Sequence, residues 1–115
     1  MQREFIIESN RLIAEFMDVE IGDYTSAPDE FCTQYHIDDI EYHCSWDWLM
    51  RVFEKINSFQ DENDDFLFTA QIRPDYFVVY EHETVTEIVY NEDGVSLIEM
   101  VYMGVVKFVK WYNQQ

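Results

Sequence analysis

Four side chains that could bind a metal ion or act in catalysis lie close together in the sequence: Cys32, His36, His43 and Cys44. Zinc sites typically pair cysteines two to four residues apart with histidines three to five residues apart. Here three residues separate Cys32 from His36 and six separate His36 from His43. Neighbouring strand residues point to opposite faces, so His43 and Cys44 would not reach the same ion. We therefore expect ordinary cysteines and histidines, with no metal and no other cofactor.

Nucleophilic and acid–base chemistry are also weakly supported by the sequence. An acidic environment raises the pKa of a thiol, which opposes a Cys–His nucleophile. The pairs Asp38-Asp39 and Asp64-Asp65 could move protons or hold calcium, but residues 61–65 lack the glycine and the spaced ligands of an EF-hand loop. The chain has only three glycines and no phosphate-binding loop. We expect no enzyme activity, and a small metal-dependent hydrolase is the second alternative.

The charge of the chain is its most distinctive property. There are 24 Asp and Glu residues against 7 Lys and Arg, a formal net charge of −17. Residues 12–50 and 74–106 contain no Lys or Arg at all. Solubility of a small domain requires only a few units of charge. Because so negative a field repels nucleic acid and anionic membranes and attracts basic proteins, we expect a basic protein partner.

The residues expected to bind this partner come from two acidic segments and one helix. The segments are an acidic lobe, residues 18–39, and the run at residues 61–65. Trp48 is off the apolar stripe of its helix, so it either covers the sheet edge or anchors an interface. The predicted partner-binding residues are Asp18, Glu20, Asp23, Asp29, Glu30, Asp38, Asp39, Trp48, Asp61, Glu62, Asp64 and Asp65.

Length and composition predict one folded domain spanning residues 1–115, into which the acidic lobe is inserted. The chain is 48% hydrophobic and 17% aromatic, which is far too apolar for a disordered protein. It has neither a long apolar run nor a signal-peptide pattern at its start. With two cysteines expected to be reduced, these features predict a cytoplasmic protein.

Periodic apolar residues predict three helices and a small sheet. The helices span residues 3–17, residues 46–57 after Ser45 as N-cap, and a final segment that begins with the capping box Ser96–Glu99. Alternation at residues 66–73, followed by segments 76–81 and 85–90, predicts a three-stranded antiparallel meander. A fourth, short strand is expected near residues 40–44. The predicted fold is therefore α+β, with the meander packed against three helices.

The final helix is apolar on nearly all sides, from Leu97 to Tyr112. Such a helix is either deeply buried or covers its second face with another chain. A homodimer through this helix is therefore one expectation.

Three blocks carry a resemblance to a known family: NRLIAEFM at residues 10–17, YHCSWDWLMRVFEKI at 42–56 and VVKFVKWYN at 105–113. Together they resemble small proteins encoded by phages and prophages of Bacteroidetes-type bacteria. That family typically has proline at the position of Arg51, and it offers no counterpart of the acidic segments. The resemblance implies a phage context and a helix–sheet sandwich, and it carries over no catalytic residues.

Charge and resemblance together favour an acidic phage-type inhibitor, such as an anti-CRISPR or another anti-defence protein. It would block or decoy the nucleic-acid channel of a host nuclease, either a CRISPR effector or a restriction enzyme. The alternative is a homo-oligomeric accessory or structural phage protein that mimics no nucleic acid.

Overall fold

The computed structural model describes residues 1–21 and 36–115, and it confirms the predicted α+β fold. Three helices and one three-stranded antiparallel sheet make up the described elements. They follow one another as α1 (Arg3–Phe16), a 3₁₀ turn (Ile37–Asp39), α2 (Trp46–Ser58), β1 (Phe68–Ile72), β2 (Phe77–Glu81), β3 (Thr86–Asn91) and α3 (Leu97–Asn113).

The sheet is the predicted meander, in the order β1-β2-β3. Central strand β2 pairs Val79 with Ala70 of β1 and with Val89 of β3. A β-bulge lies in β3 opposite Val79 and Tyr80, where the register shifts by one residue. Bulges bend an edge strand and interrupt the regular row of its hydrogen-bonding groups.

Helix α3 is the central element of the core. It packs against β2 and β3 on one side and against α1 on the other. Gly104 allows a close approach to β2, because a Cβ atom at this position would run into the ring of Phe77. Tyr102, two residues earlier, reaches α1 through a hydrogen bond to Asn10. Both faces of α3 are thus covered within the chain, which accounts for its apolar composition.

Aromatic rings gather around the C-terminal half of α3. Phe108 packs edge-on against Phe68 of β1 at a centroid distance of 5.2 Å, and Tyr112 stacks on Phe59 at 5.3 Å. Phe16, the last residue of α1, contacts both Phe108 and Tyr112. Aromatic pairs of this kind add to the burial of apolar area. The cluster joins the ends of α1 and α2 to the start of the sheet.

The helix ends follow the predicted caps in part. The Ser96 hydroxyl accepts a hydrogen bond from the Glu99 amide at 3.3 Å, which confirms the N-cap of α3. Ser45 occupies the N-cap position of α2, but its side chain makes no capping hydrogen bond. At the end of α1, the Lys55 amine donates to the Phe16 carbonyl and lies over the Phe16 ring. A cation suits this end of a helix, where carbonyl groups lack partners.

The fourth strand predicted near residues 40–44 is wrong. Ile37–Asp39 form a 3₁₀ turn, and residues 42–44 form a turn in which the amides of Cys44 and Ser45 donate to the Glu41 carbonyl. The segment packs against α1, where the Asn10 side chain donates to the Ile40 carbonyl at 3.2 Å. Ile40 and Tyr42 are buried as the alternation suggested, but they lie on a turn with no strand beside it.

No helix in the described part of the chain is both long enough and apolar enough to cross a membrane.

Candidate protein-binding site

The acidic run at residues 61–65 forms a closed, hydrogen-bonded loop. The Asp61 carboxylate accepts from the amides of Asn63 and Asp65, at 2.8 and 3.1 Å, and the Asp61 amide donates to the Asp65 carbonyl. An aspartate that binds backbone amides of the next residues in this way stabilises a tight turn. Asp64 has a φ of 62°, in the left-handed region that Asp tolerates better than most residues.

Backbone hydrogen bonds tie this loop to the sheet. Gln60 and Phe66 form an isolated bridge, and the Leu67 amide donates to the Phe59 carbonyl at 2.9 Å. The Leu67 carbonyl in turn accepts from the His82 amide, just beyond β2. The loop therefore lies in a defined position beside the turn that connects β2 to β3.

The end of α2 fixes the outer edge of β1 in the same region. The Ala70 amide donates to the side-chain oxygen of Asn57 at 2.8 Å, and the Asn57 amide group donates back to the Ala70 carbonyl at 3.5 Å. The Asn57 side chain thus takes the place of a neighbouring strand at this residue. It covers backbone groups that an open edge would present to other chains.

Between the loop and the β2–β3 turn is a cleft of about 330 Å³, called here the acidic cleft. Two of its carboxylates come from the loop and two from the hairpin. Phe66, 49% exposed, and Leu67 add apolar surface beside them. The lining residues are Asp61, Asn63, Asp65, Phe66, Leu67, Glu81, His82 and Glu83.

This arrangement suits a lysine or arginine side chain from another protein. Carboxylates pair with the cationic head, and an exposed aromatic ring packs against the head or the aliphatic stem. Because backbone hydrogen bonds already hold both walls, little conformational freedom is lost on binding.

Of the sequence-predicted binding residues, Asp61 and Asp65 line the acidic cleft. Glu62 and Asp64 are exposed on the same loop outside it. Sequence reasoning missed Glu81 and Glu83, since they lie in and after β2 and approach the loop only through the hydrogen bond between Leu67 and His82. Their positions beside the predicted hairpin turn were the only signal available.

The described parts of the acidic lobe lie at opposite ends of α1. Asp18 follows the last turn of the helix, is 93% exposed and lies 3.9 Å from Lys55. Asp38 lies 3.9 Å from Arg3, the first residue of the helix. A helix of 14 residues is about 20 Å long. Glu20 and Asp39 are exposed next to these two positions. Asp23, Asp29, Glu30 and Cys32 lie outside the described residues.

Trp48 is half-buried on α2, with its ring edge against Tyr42 at a centroid distance of 5.1 Å. Tyr42 itself is buried in the core. Trp48 therefore packs on its own chain, against the buried residue of the turn before α2, and remains partly exposed.

His43 belongs to a buried polar network. The Asn10 side chain donates to the Ile40 carbonyl and lies 3.0 Å from Nδ1 of His43, while its oxygen accepts from the Tyr102 hydroxyl at 2.9 Å. Burial lowers the pKa of His43, and the charge of Glu41 opposes that shift. Burial also raises the pKa of Tyr102, which keeps its hydroxyl protonated.

Cys44 is exposed, and its pKa is raised, first by partial burial of the thiol and then by the charge of Glu41. A thiol of this kind is a poor nucleophile at neutral pH. Within residues 1–21 and 36–115, no three His, Cys, Asp or Glu side chains lie close enough together to hold a metal ion.

Comparison of the chain with protein-family models, with curated proteins and with solved structures gives no match. The charge distribution and the acidic cleft are therefore the features of the molecule that suggest a function.

Proposed function

We propose that this protein is an acidic inhibitor that binds a basic, nucleic-acid-binding protein and blocks its nucleic-acid channel. The acidic cleft carries the proposal, because four carboxylates from two hydrogen-bonded segments surround exposed apolar surface. A cleft of this composition fits the side chains that line a phosphate-binding channel.

The physical basis is competition for the same cations. Channels that hold nucleic acid are lined with Lys and Arg, and neutralisation of phosphates by these residues supplies most of the nonspecific affinity. A protein with a net charge of −17 is drawn to such a channel at long range. The fixed walls of the acidic cleft then add short-range contacts to one or two of the basic side chains.

The resemblance to phage proteins in the blocks at residues 10–17, 42–56 and 105–113 supports a particular kind of partner. A phage protein of this charge would act in the host cytoplasm on a defence nuclease, such as a CRISPR effector or a restriction enzyme. Its complex would include the nuclease or its ribonucleoprotein, with no direct contact to nucleic acid.

The apolar composition of α3 suggested a homo-oligomer as the alternative function, but packing within the chain also accounts for that composition. Helix α1 and the sheet cover the two faces of α3. Two copies of a chain with this charge also repel each other.

A plaque assay tests the proposal directly. The protein is expressed in bacteria whose CRISPR effector or restriction enzyme blocks a phage, and the efficiency of plaquing is measured. We expect plaquing to rise for at least one defence system. The purified protein should bind that nuclease in a complex that weakens steeply as salt increases.

Two variants with the same change in net charge locate the contact. Asp65→Lys with Glu83→Lys reverses charge on both walls of the acidic cleft, whereas Glu8→Lys with Glu54→Lys reverses it on exposed faces of α1 and α2. The first variant should lose inhibition and the second should keep most of it. Equal loss in both variants would show that only total charge matters, and a wild-type protein that raises plaquing against no nuclease would contradict the proposed function.

A further inference from the structure

The face of the sheet that points away from the helices forms a separate surface. The core-facing side carries Phe68, Ala70, Phe77, Val79 and Val89. The residues between them point the other way. On this outer side Val78 pairs with Gln71 and Tyr90, and Tyr80 pairs with Thr69 and Glu87. Val78 is fully buried at the centre of this side, and Tyr90 and Glu87 are exposed at its edge. With Tyr76, which precedes β2, these residues are called here the tyrosine face.

Two tyrosines at one end of this face are stacked. The rings of Tyr76 and Tyr90 have centroids 5.3 Å apart and planes inclined by 27°. Tyr90 remains 42% exposed, so part of its ring is open to solvent. Exposed, pre-stacked tyrosines are typical of binding surfaces, since they offer large rigid contact area at a small cost in conformational entropy.

Carboxylates surround the stacked pair. The Tyr90 hydroxyl donates to Glu92 at 3.3 Å. Desolvation raises the pKa of Tyr90, and the nearby charges of Glu92 and Asp75 raise it further. Two cations lie near this end of the described sheet. The Arg73 guanidinium donates to Gln71 at 3.4 Å, and Lys107 of α3 donates to the buried Asn91 and lies 3.9 Å from Asp93.

We propose that the tyrosine face binds an arginine side chain of a protein partner, with the guanidinium stacked on the exposed ring of Tyr90 and paired with Glu92 or Asp75. Arginine fits better than lysine because its planar, weakly hydrated head stacks on a ring while its N–H groups pair with a carboxylate. The inference rests on the proposed function, as it adds a second contact surface for the same basic partner.

Charge complementarity selects this occupant over two others. Nucleobases also stack on tyrosine, but the carboxylates at Asp75, Glu87 and Glu92 repel the phosphates of a single strand. A second copy of the chain would bring a further charge of −17 to an acidic face. The stacked pair is also separate from the acidic cleft. Tyr76 and Tyr90 lie at one end of β2, and Glu81 and His82 lie at or beyond the other, so the five-residue strand separates them by roughly 15 Å.

The test is a titration of the ¹⁵N-labelled protein, followed by amide chemical shifts. The probes are hexa-arginine, hexa-lysine and a short single-stranded oligothymidylate. We expect hexa-arginine to shift the amides of Tyr76, Val78 and Tyr90 and to bind at this face about three-fold or more tighter than hexa-lysine. The oligothymidylate should cause no shift. A tighter response to the oligonucleotide, or equal responses to both peptides, would overturn the inference.

Matched variants distinguish the contribution of the Tyr90 ring to binding from effects on the strand and on the acidic cleft. Tyr90→Thr removes the ring but keeps a good strand former, and it should weaken hexa-arginine binding at this face about three-fold, whereas Tyr90→Phe should stay within about two-fold of the wild type. Phe66→Ala removes an exposed ring at the acidic cleft and should not change the shifts that hexa-arginine causes at Tyr76, Val78 and Tyr90. Unchanged binding in Tyr90→Thr would contradict the inference.

The two proposals can fail separately. If Tyr90→Thr inhibits the nuclease as well as the wild type while Asp65→Lys with Glu83→Lys does not, the proposed function stands and the tyrosine face is no part of it. If the wild type inhibits nothing, the peptide titration still decides whether this face selects arginine.

Discussion

Tyr102 and Asn10, 92 residues apart in the chain, are joined by a buried hydrogen bond of 2.9 Å from the tyrosine hydroxyl to the asparagine side-chain oxygen. Tyr102 is on the central helix α3 and Asn10 is on α1. Asn10 uses its amide group for Ile40 and His43. These two side chains thus connect α3, α1 and the turn before α2.

Loss of the Tyr102 hydroxyl should lower stability. Tyr102→Phe leaves the Asn10 oxygen buried without its donor, and the free energy of unfolding should fall by about 1–2 kcal/mol. Urea unfolding followed by circular dichroism measures the change. Tyr112→Phe, on the exposed end of the same helix, is the control and should change stability by less than about 0.5 kcal/mol. Equal effects would mean that the buried hydrogen bond contributes little.

The network also predicts a pH dependence. Asn10 donates to Nδ1 of His43, so this nitrogen must be unprotonated. In a charged imidazole, the N–H at Nδ1 would face the N–H of the Asn10 amide group. Because burial lowers the pKa of His43 in the folded protein, the unfolded chain takes up a proton first as pH falls below about 6.5. Stability from this residue is therefore present above that pH and is lost as pH falls.

Urea unfolding of the wild type and of His43→Gln between pH 7.5 and 5.5 isolates this effect. The difference in free energy of unfolding between them should shrink as the pH decreases. Gly104→Ala, which adds and removes no titratable group, is the control and should keep a constant difference from the wild type. A constant difference for His43→Gln as well would contradict the assigned role of Nδ1.

Gly104 should not tolerate even a methyl group. Alanine is favoured over glycine in a helix by about 1 kcal/mol, yet Gly104→Ala would place Cβ against the fully buried ring of Phe77. Overpacking of this kind costs about 1–3 kcal/mol, so we expect a net loss of stability in thermal unfolding. The double variant Gly104→Ala with Phe77→Leu should recover part of that loss. A more stable Gly104→Ala protein would show that α3 and β2 are not in close contact.

Replacement of Val85 by glycine should make the folded protein more stable. It lies in the β2–β3 turn with a φ of 54°, a left-handed conformation that disfavours β-branched residues, and its side chain is 72% exposed. Val85→Gly removes the backbone strain and should raise the free energy of unfolding by about 1 kcal/mol. Thr84→Gly, which changes a neighbour with no left-handed backbone, should lower it by a similar amount or less. A loss of stability in Val85→Gly would show that the turn is unstrained.

Much of the fold could be predicted because it depends on local patterns. The alternation of Phe68 and Ala70 with polar neighbours specifies a strand, and Ser96 followed by Glu99 marks the start of α3. The same reasoning failed at Ile40 and Tyr42. Two buried residues separated by one other residue also occur in a turn. The contact with Asn10 and the hydrogen bonds to the Glu41 carbonyl distinguish this turn from a strand.

The candidate sites depended on contacts that sequence spacing does not encode. Asp65 and Glu83 are 18 residues apart, and they line one cleft because Leu67 bonds to Phe59 on one side and to His82 on the other. Tyr76 and Tyr90 come together because Tyr76 immediately precedes β2 and Tyr90 lies in β3, which pairs with β2. Composition alone established the net charge of −17, from which we predict a basic partner, since long-range repulsion and attraction depend on total charge. Tertiary structure decided where that charge gathers, because hydrogen bonds between distant segments bring particular carboxylates and rings close together.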